Sequence, residues 1–360
     1  MSSSLTEEQR RDLADHIDRL MTVDVPARGF VSEAYVEARR LAGQPLVQQA
    51  GDALLARLTK QRGSTVLITT GATVQRPGLA DHIGEMDGPP GALALARMLG
   101  LAFGALPILV TDPRQGAMLS AAAASLGLYT LSPADLRLQA SRMPHVSAIS
   151  VVEMPDADAA ASDEAARLMS ECNPIALIAI EKAGRNENGV FHNSYKDDTS
   201  AGKARLEPLF DLCARSDVLT IGIGDGGNEL GMGNIRDFIL KRFEHMGRCN
   251  CPCGGSIVAT QRADVLVVAT VSNWGAYALA AYLAAVAGKP YTAHSPERER
   301  SLLRGCAAAG YVHVDGFRVS AADGLPEDIH AAFVAILGCM TFWPPLQFGR
   351  AGILSDMLPK

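Results

Sequence analysis

Asp217–Ile235 reads DVLTIGIGDGGNELGMGNI. It opens as a strand: Val218, Leu219, Ile221 and Ile223 form a short apolar, partly β-branched run, the pattern of a parallel strand buried on both faces. Asp225-Gly226-Gly227-Asn228 then interrupts it with residues that tolerate left-handed or very tight backbone. From Glu229 through Met232, Ile235, Phe238 and Ile239 the apolar spacing predicts a helix. Asp225, Asn228 and Glu229 gather at the turn between strand and helix. In an open α/β sheet, ligands bind beyond the carboxyl ends of the strands, at turns of this kind. One such turn alone would be an ordinary connection whose acids cap a helix. Its weight comes from the other strands, which end the same way.

Those strands are expected at Thr65–Thr70, Pro107–Thr111, Ser147–Val152, Ile175–Ile180 and Val265–Ala269. Ala/Leu-rich helical stretches such as Gly91–Leu99 and Met118–Leu126 lie between them. The alternation predicts an α/β fold, a mostly parallel sheet with helices on both faces. Residues 1–62 read as an N-terminal helical extension and 63–360 as one α/β catalytic domain, with no linker and no internal repeat. In the extension, Thr6-Glu7-Glu8-Gln9 resembles a capping start, and a further helix is expected from about Pro45. This extension carries no chemical constellation, and its helices are expected to pack on the sheet or on a second subunit, which makes a homodimer compatible with the reading.

Composition excludes several classes. The 360 residues carry a formal net charge of −6, with 48% hydrophobic and 20% charged residues. No basic tract with interleaved aromatics is present, so neither nucleic acid nor an anionic membrane is an expected partner. The start, MSSSLTEEQRRD, lacks an apolar core, so a secretory or transit segment is not expected. No apolar run reaches the roughly 18 residues of a membrane span. Seven cysteines without a disulfide framework fit a reducing cytoplasm.

Polar residues collect at the predicted strand ends: Gly71, Asp112, Glu153, Glu181, Asp225 and Ser272-Asn273. EMDGPPGA (Glu85–Ala92) sets two carboxylates before a helix whose first turn holds Pro89 and Pro90. Asp87 would suit an N-cap; Glu85 is not needed for one. AIEKAGRNENGVFHN (Ala179–Asn193) brings Glu181, Lys182, Arg185, Asn186, Asn188 and His192, a density of polar groups that no ordinary turn requires. A lone histidine such as His192 is more often structural or solvated than catalytic. VSNWGAYAL (Val271–Leu279) is a further strand-to-helix junction, with Ser272 or Asn273 as cap and Trp274 as packing. CNCPC (Cys249–Cys253) falls short of paired zinc-ribbon spacing, since no second pair follows and the one histidine nearby in sequence is His245. No dinucleotide fingerprint, phosphate-loop lysine or serine triad is found, so neither NAD nor pyridoxal phosphate is expected.

EMDGPPGA, AIEKAGRNENGVFHN, GIGDGGNELGMGN and VSNWGAYAL, in this order from about residue 66 to 283, resemble the D-glutamate cyclase family, in particular the C-terminal catalytic region of its mitochondrial members and their free-standing bacterial relatives. The resemblance implies conversion of D-glutamate to 5-oxo-D-proline and water. Such lactam formation needs the substrate held folded, a base for the amine and help for the departing oxygen. Asp87, Glu181, Asp225 and Glu229 are the expected catalytic acids and bases. Gly71, Glu85, Arg185, Asn186, Gly226, Gly227, Asn228, Ser272 and Asn273 are expected at the substrate.

An acid-lined site would repel a substrate with two carboxylates. Lys182, Arg185, Arg76, the helix N-termini at Gly91, Glu229 and Trp274, or a divalent cation must compensate. Mg²⁺ or Mn²⁺ on Asp87, Asp225 and Glu229 is the metal expectation. Two other classes use the same residues: a Mg²⁺-dependent hydrolase of a phosphorylated metabolite, and a non-catalytic small-anion binding protein built on helix N-termini.

Overall fold

The computed structural model describes residues 5–71, 73–74 and 83–342. In chain order the elements begin with α1 (Glu7–Met21), α2 (Val31–Ala42), α3 (Leu46–Leu58), β1 (Thr65–Thr70), α4 (Pro89–Phe103) and β2 (Leu106–Thr111). There follow α5 (Gly116–Ala124), β3 (Tyr129–Leu131), α6 (Pro133–Arg142), β4 (Ala148–Glu153), α7 (Asp158–Cys172) and β5 (Pro174–Ile180). Next come α8 (Glu207–Arg215), β6 (Leu219–Gly224), α9 (Arg236–Arg242), β7 (Val265–Val268) and α10 (Ser272–Val286). The chain ends in α11 (Pro296–Ala309), the short pair β8 (Ala321–Ala322) and β9 (Leu325–Pro326), and α12 (Glu327–Phe342).

Strands β1 to β7 form one sheet in the order β3-β4-β2-β1-β5-β6-β7, and every pairing in it is parallel. The fold is α/β, as the strand–helix alternation predicts. Period-2 alternation divides each central strand between two cores. Val66 and Ile68 face one core with α3, α4 and α10, whereas Leu67 faces the other with α7 and α8. Strand β3, absent from the sequence reading, has three residues, none of them buried, so it lacks the apolar run that marks the others.

From β1 the chain passes to β2 on one side, and β5, β6 and β7 continue on the other. The β1/β5 boundary is therefore a topological switch point, where the connections leave a crevice at the carboxyl ends.

The helix expected from Glu229 starts later. Residues 228–230 run beside 182–184, with Gly184 N–H donating to the Asn228 carbonyl and Leu230 N–H to that of Lys182, 2.8 Å each. A short 3₁₀ turn spans Met232–Asn234, and α9 begins only at Arg236. Apolar periodicity cannot see why. Gly222 of β6 lies under Leu230 and Gly231, and a Cβ there would overlap the Leu230 carbonyl, while Gly231 adopts φ +100. The glycines press this stretch flat onto the sheet, which no helix would allow.

The N-terminal helices share the core of α10 and the sheet. Thr6 and Gln9 form a reciprocal capping box on α1. Asp18 of α1, fully buried, accepts from Leu46 N–H at 2.7 Å and Val47 N–H at 3.1 Å and so caps α3. Pro45, the N-cap residue, has no side chain able to do so. The Tyr35 hydroxyl of α2 donates to the same carboxylate at 3.1 Å, so one acid joins three helices.

Among the described residues, no helix is long and apolar enough to cross a membrane.

Candidate active site

Several chain segments converge on the switch-point crevice. Glu181 immediately follows β5, Asp225 immediately follows β6, and Ser272 opens α10 after β7. Glu181 adopts φ +47, a left-handed conformation that is costly for a residue with a Cβ. Its carboxylate accepts from the Ser272 hydroxyl at 2.6 Å.

The loop before α4 brings Glu85 and Asp87. Gly88, at φ +97, lets it press on the strand ends, where a Cβ would meet Thr70 Oγ1 at 2.6 Å and Glu181 Cβ at 2.9 Å. Asp87 does not cap α4. It accepts from Ser272 N–H and Asn273 N–H, both at 2.9 Å, and so caps α10. Asn273 returns the contact: its side-chain oxygen accepts from Gly88 N–H at 3.0 Å and Gly91 N–H at 2.8 Å, at the start of α4. The two helix N-termini are thus occupied by the protein's own oxygens.

Glu229 Oε1 accepts from Asp225 N–H at 2.9 Å and Gly226 N–H at 2.6 Å. It lies beneath the turn and holds Asp225 in place.

Three residues here are brought to the crevice by no signal in the sequence pattern. Arg28, between α1 and α2, reaches Asp225 Oδ2 at 2.9 Å and Asp323 Oδ2 at 3.1 Å. It also donates to the Thr270 carbonyl. Its loop is fixed by Asp24, which accepts from Arg28 N–H and Gly29 N–H, and by Thr270, which donates to the Met21 and Val23 carbonyls. Asp323 sits in the β8–β9 turn; its Asp-Gly pair is a recognisable hairpin signal, but nothing local places it at the crevice. Lys203, before α8, is 5% exposed and makes no ion pair among the described residues.

The resulting cleft, of about 140 Å³, is lined by Glu85, Glu181, Asp225, Asp323, Arg28 and Lys203, with Gly226, Asn228 and the segment His192–Tyr195 on its walls. A larger depression, about 520 Å³, opens between α4 and α6 near the start of β2 and has no acid, histidine or cysteine in its lining. Size alone would mislead here, because chemistry requires groups that can exchange protons or hold charge.

Electrostatics mark the acid cluster. Burial, and then the charge of Asp225, push Glu85 up to about 7 and Glu229 up to about 7. The same causes hold Asp87, Glu181 and Asp323 well above the ordinary carboxylate range. Burial disfavours the charged Arg28 guanidinium, but Asp225 and then Asp323 outweigh it and keep it protonated. Burial pulls the Lys203 amine below its ordinary value. This is an excess of acid over cation in a largely buried site, where like charges cannot all ionise together. Asp87, Glu181 and Asp225 can each offer an oxygen within 4.8 Å of the others, close enough to share a metal ion.

The remaining expected residues are placed as follows. Gly71 lies at the end of β1, its carbonyl accepting from Lys182 at 2.9 Å. Lys182 is itself spent on Asp112 at 2.5 Å. Gly227 packs behind the turn, against Phe30 and Met246. Arg185 turns away to Asp158 and Glu207. Asn186 organises its own loop, accepting from Asn188 and Val190 N–H and donating to the Ser256 carbonyl. Glu153 accepts from Gly116 N–H at the start of α5. Trp274 packs face to face on Phe333. Arg76 lies outside the described residues.

Residues 17–338 match the family described as D-glutamate cyclase-like, C-terminal. The chain belongs to this family. The matched span begins within α1 and ends within α12, so it takes in Arg28 and Asp323 as well as the four motifs at the strand ends. Over 239 residues the chain is 31% identical to the mitochondrial D-glutamate cyclase of Homo sapiens, an alignment covering 64% of this chain and 34% of that protein. The chain thus spans about a third of that relative's length.

Proposed function

We propose that this protein is a D-glutamate cyclase, closing D-glutamate to 5-oxo-D-proline with release of water. The observation that carries the reading is the convergence of Glu85, Glu181, Asp225 and Lys203 on one small cleft at the sheet's switch point, in a chain of this family.

The reaction forms a bond between the substrate nitrogen and its γ-carbon and breaks one γ-carbon–oxygen bond. Two protons leave the ammonium nitrogen, and the departing oxygen takes two to become water. A single group placed beside both atoms can carry them if its pKa lies near neutrality. Glu85 lines the cleft with such a value, about 7, and stands outside the Asp87–Glu181–Asp225 triad. It is assigned as the proton carrier. Lys203, buried and without an ion pair among the described residues, is assigned to the substrate's α-carboxylate. Arg28 pairs with Asp225 and leaves guanidinium donors for the γ-carboxylate.

Asp87, Glu181 and Asp225 are proposed to hold a divalent cation, Mg²⁺ or Mn²⁺. Oxygen ligands suit both ions, and burial, then the charge of Asp225, hold Asp87 and Glu181 above the ordinary carboxylate range, a cost that a shared cation would offset. When bound, the cation supplies Lewis-acid polarisation of the reacting carboxylate. Glu229, whose Oε1 is committed to backbone N–H groups, acts by orienting Asp225.

An anion-binding module would need free helix N-termini, and Asp87 and Asn273 occupy those of α10 and α4. The test is direct: the purified protein with Mn²⁺ and D-glutamate should accumulate 5-oxoproline, resolved by chromatography. No product from D-glutamate under these conditions overturns the proposal.

A further inference from the structure

The CNCPC stretch lacks a fourth ligand in its own neighbourhood, and folding supplies one. His192 Nε2 lies 3.4 Å from Cys251 Sγ and 3.7 Å from Cys253 Sγ. Cys249 Sγ lies 3.4 Å from both Cys251 Sγ and Cys253 Sγ. All four atoms fall within 4.8 Å of one another. We propose that Cys249, Cys251, Cys253 and His192 form a tetrahedral site for a structural Zn²⁺.

The dimensions support this. Zn–S bonds of about 2.3 Å and Zn–N bonds of about 2.0–2.1 Å require tetrahedron edges of roughly 3.8 Å between sulfurs and 3.6 Å between sulfur and nitrogen. The observed separations lie close to these. They are far from the roughly 2.05 Å of a disulfide, and all three cysteines are free. Thiols are weak hydrogen-bond donors, so three sulfurs and an imidazole gain little from such crowding without a shared cation. Soft thiolates with one imidazole select zinc over the hard cations suited to the carboxylate cleft. Four protein ligands leave no open position, which makes the site structural.

The surroundings fit thiolates. Gly255 N–H and the Asn186 amide both donate to Cys253 Sγ, at 3.4 and 3.5 Å. Cys249 N–H donates to the Gly255 carbonyl at 2.8 Å and closes the loop. Hydrogen bonds of this kind orient ligands and offset charge on sulfur. Asn186 thus belongs to the support of this site.

The zinc would anchor one wall of the cleft. His192 to Tyr195 line it, and the Asn228 amide donates to the His192 carbonyl at 3.0 Å. The ion ties this segment to the loop carrying Cys249–Cys253.

The full-length chain, produced without a polyhistidine tag in zinc-supplemented medium and purified without chelator, should hold one zinc per chain by elemental analysis. A mercurial thiol reagent should release it, and Co²⁺ put in its place should show thiolate-to-cobalt charge-transfer absorption with intense tetrahedral d–d bands. C251S should lose the zinc, whereas D225N, altered in the carboxylate cleft, should keep it. Trace zinc in the wild-type protein, zinc that survives the thiol reagent, or a mapped disulfide among the three cysteines overturns the proposal. Because wild-type release needs no variant, a C251S chain that fails to fold does not blunt the test. Zinc content is also read independently of turnover, so the cyclase reading and this one can fail separately.

Discussion

Arg28 Nη2 lies 2.9 Å from Asp225 Oδ2, a pair separated by 197 positions in the chain. The guanidinium comes from a loop between two N-terminal helices and meets the acid at the centre of the repulsion felt by Glu85, Asp87, Glu181, Glu229 and Asp323. R28M is expected to lower kcat/KM by on the order of 10²-fold, the scale of losing one preorganised charged donor. R28K should recover part of it, since a lysine ammonium can meet one carboxylate but lacks the fork that spans Asp225 and Asp323. Steady-state kinetics with D-glutamate reads both; wild-type rates in R28M would remove Arg28 from the site.

Glu85 and the metal triad should separate in the same assay. E85Q is expected to reduce kcat by about 10²–10⁴-fold, the range for a lost general acid–base group, with the midpoint for Mn²⁺ activation unchanged. E181Q should instead shift that midpoint to higher Mn²⁺. If E181Q leaves metal activation untouched while E85Q moves it, the roles are reversed.

Removal of divalent cation should abolish turnover, and Mg²⁺ or Mn²⁺ should restore it. Full activity after exhaustive dialysis against chelator, with metal content checked in the same sample, would rule out the cation on Asp87, Glu181 and Asp225.

The pH dependence of stability has a defined sign. Glu85 and Glu229 stand at about 7 in the folded protein against an ordinary 4.5. Between those values the folded state holds protons that the unfolded chain has released. The stability they contribute is complete below about pH 4.5 and is lost as pH rises through about 7. Melting in chelator should therefore shift to lower temperature from about pH 5 to about pH 8, and saturating Mn²⁺, which favours ionised carboxylates, should flatten the trend. A melting temperature that climbs over this range would contradict the buried acid cluster.

Asp18 tests the scaffold separately from the chemistry. D18A removes the acceptor for Leu46 N–H, Val47 N–H and the Tyr35 hydroxyl. A loss of about 1–3 kcal/mol is expected for groups left without a charged partner, read by denaturant unfolding. An unchanged midpoint would mean that α1, α2 and α3 are held by apolar contact alone.

The pattern of residues determined much of this protein by itself. Buried parallel strands advertise themselves as short apolar runs, so six strands of the sheet were legible to within a residue or two. The acids at their ends followed, since strand termini in a parallel sheet share one rim. Glu181, Asp225, Ser272 and the Glu85–Asp87 loop meet there for that reason. Tertiary structure decided what those acids face. Arg28, Lys203 and Asp323 reach the cleft by contacts between distant segments, and His192 joins Cys251 from 59 positions away. Such pairings impose no periodicity on the chain. Charge balance is likewise a property of the folded site: burial sets the cost of each ionised group, and only the packed arrangement shows which cations remain to offset it.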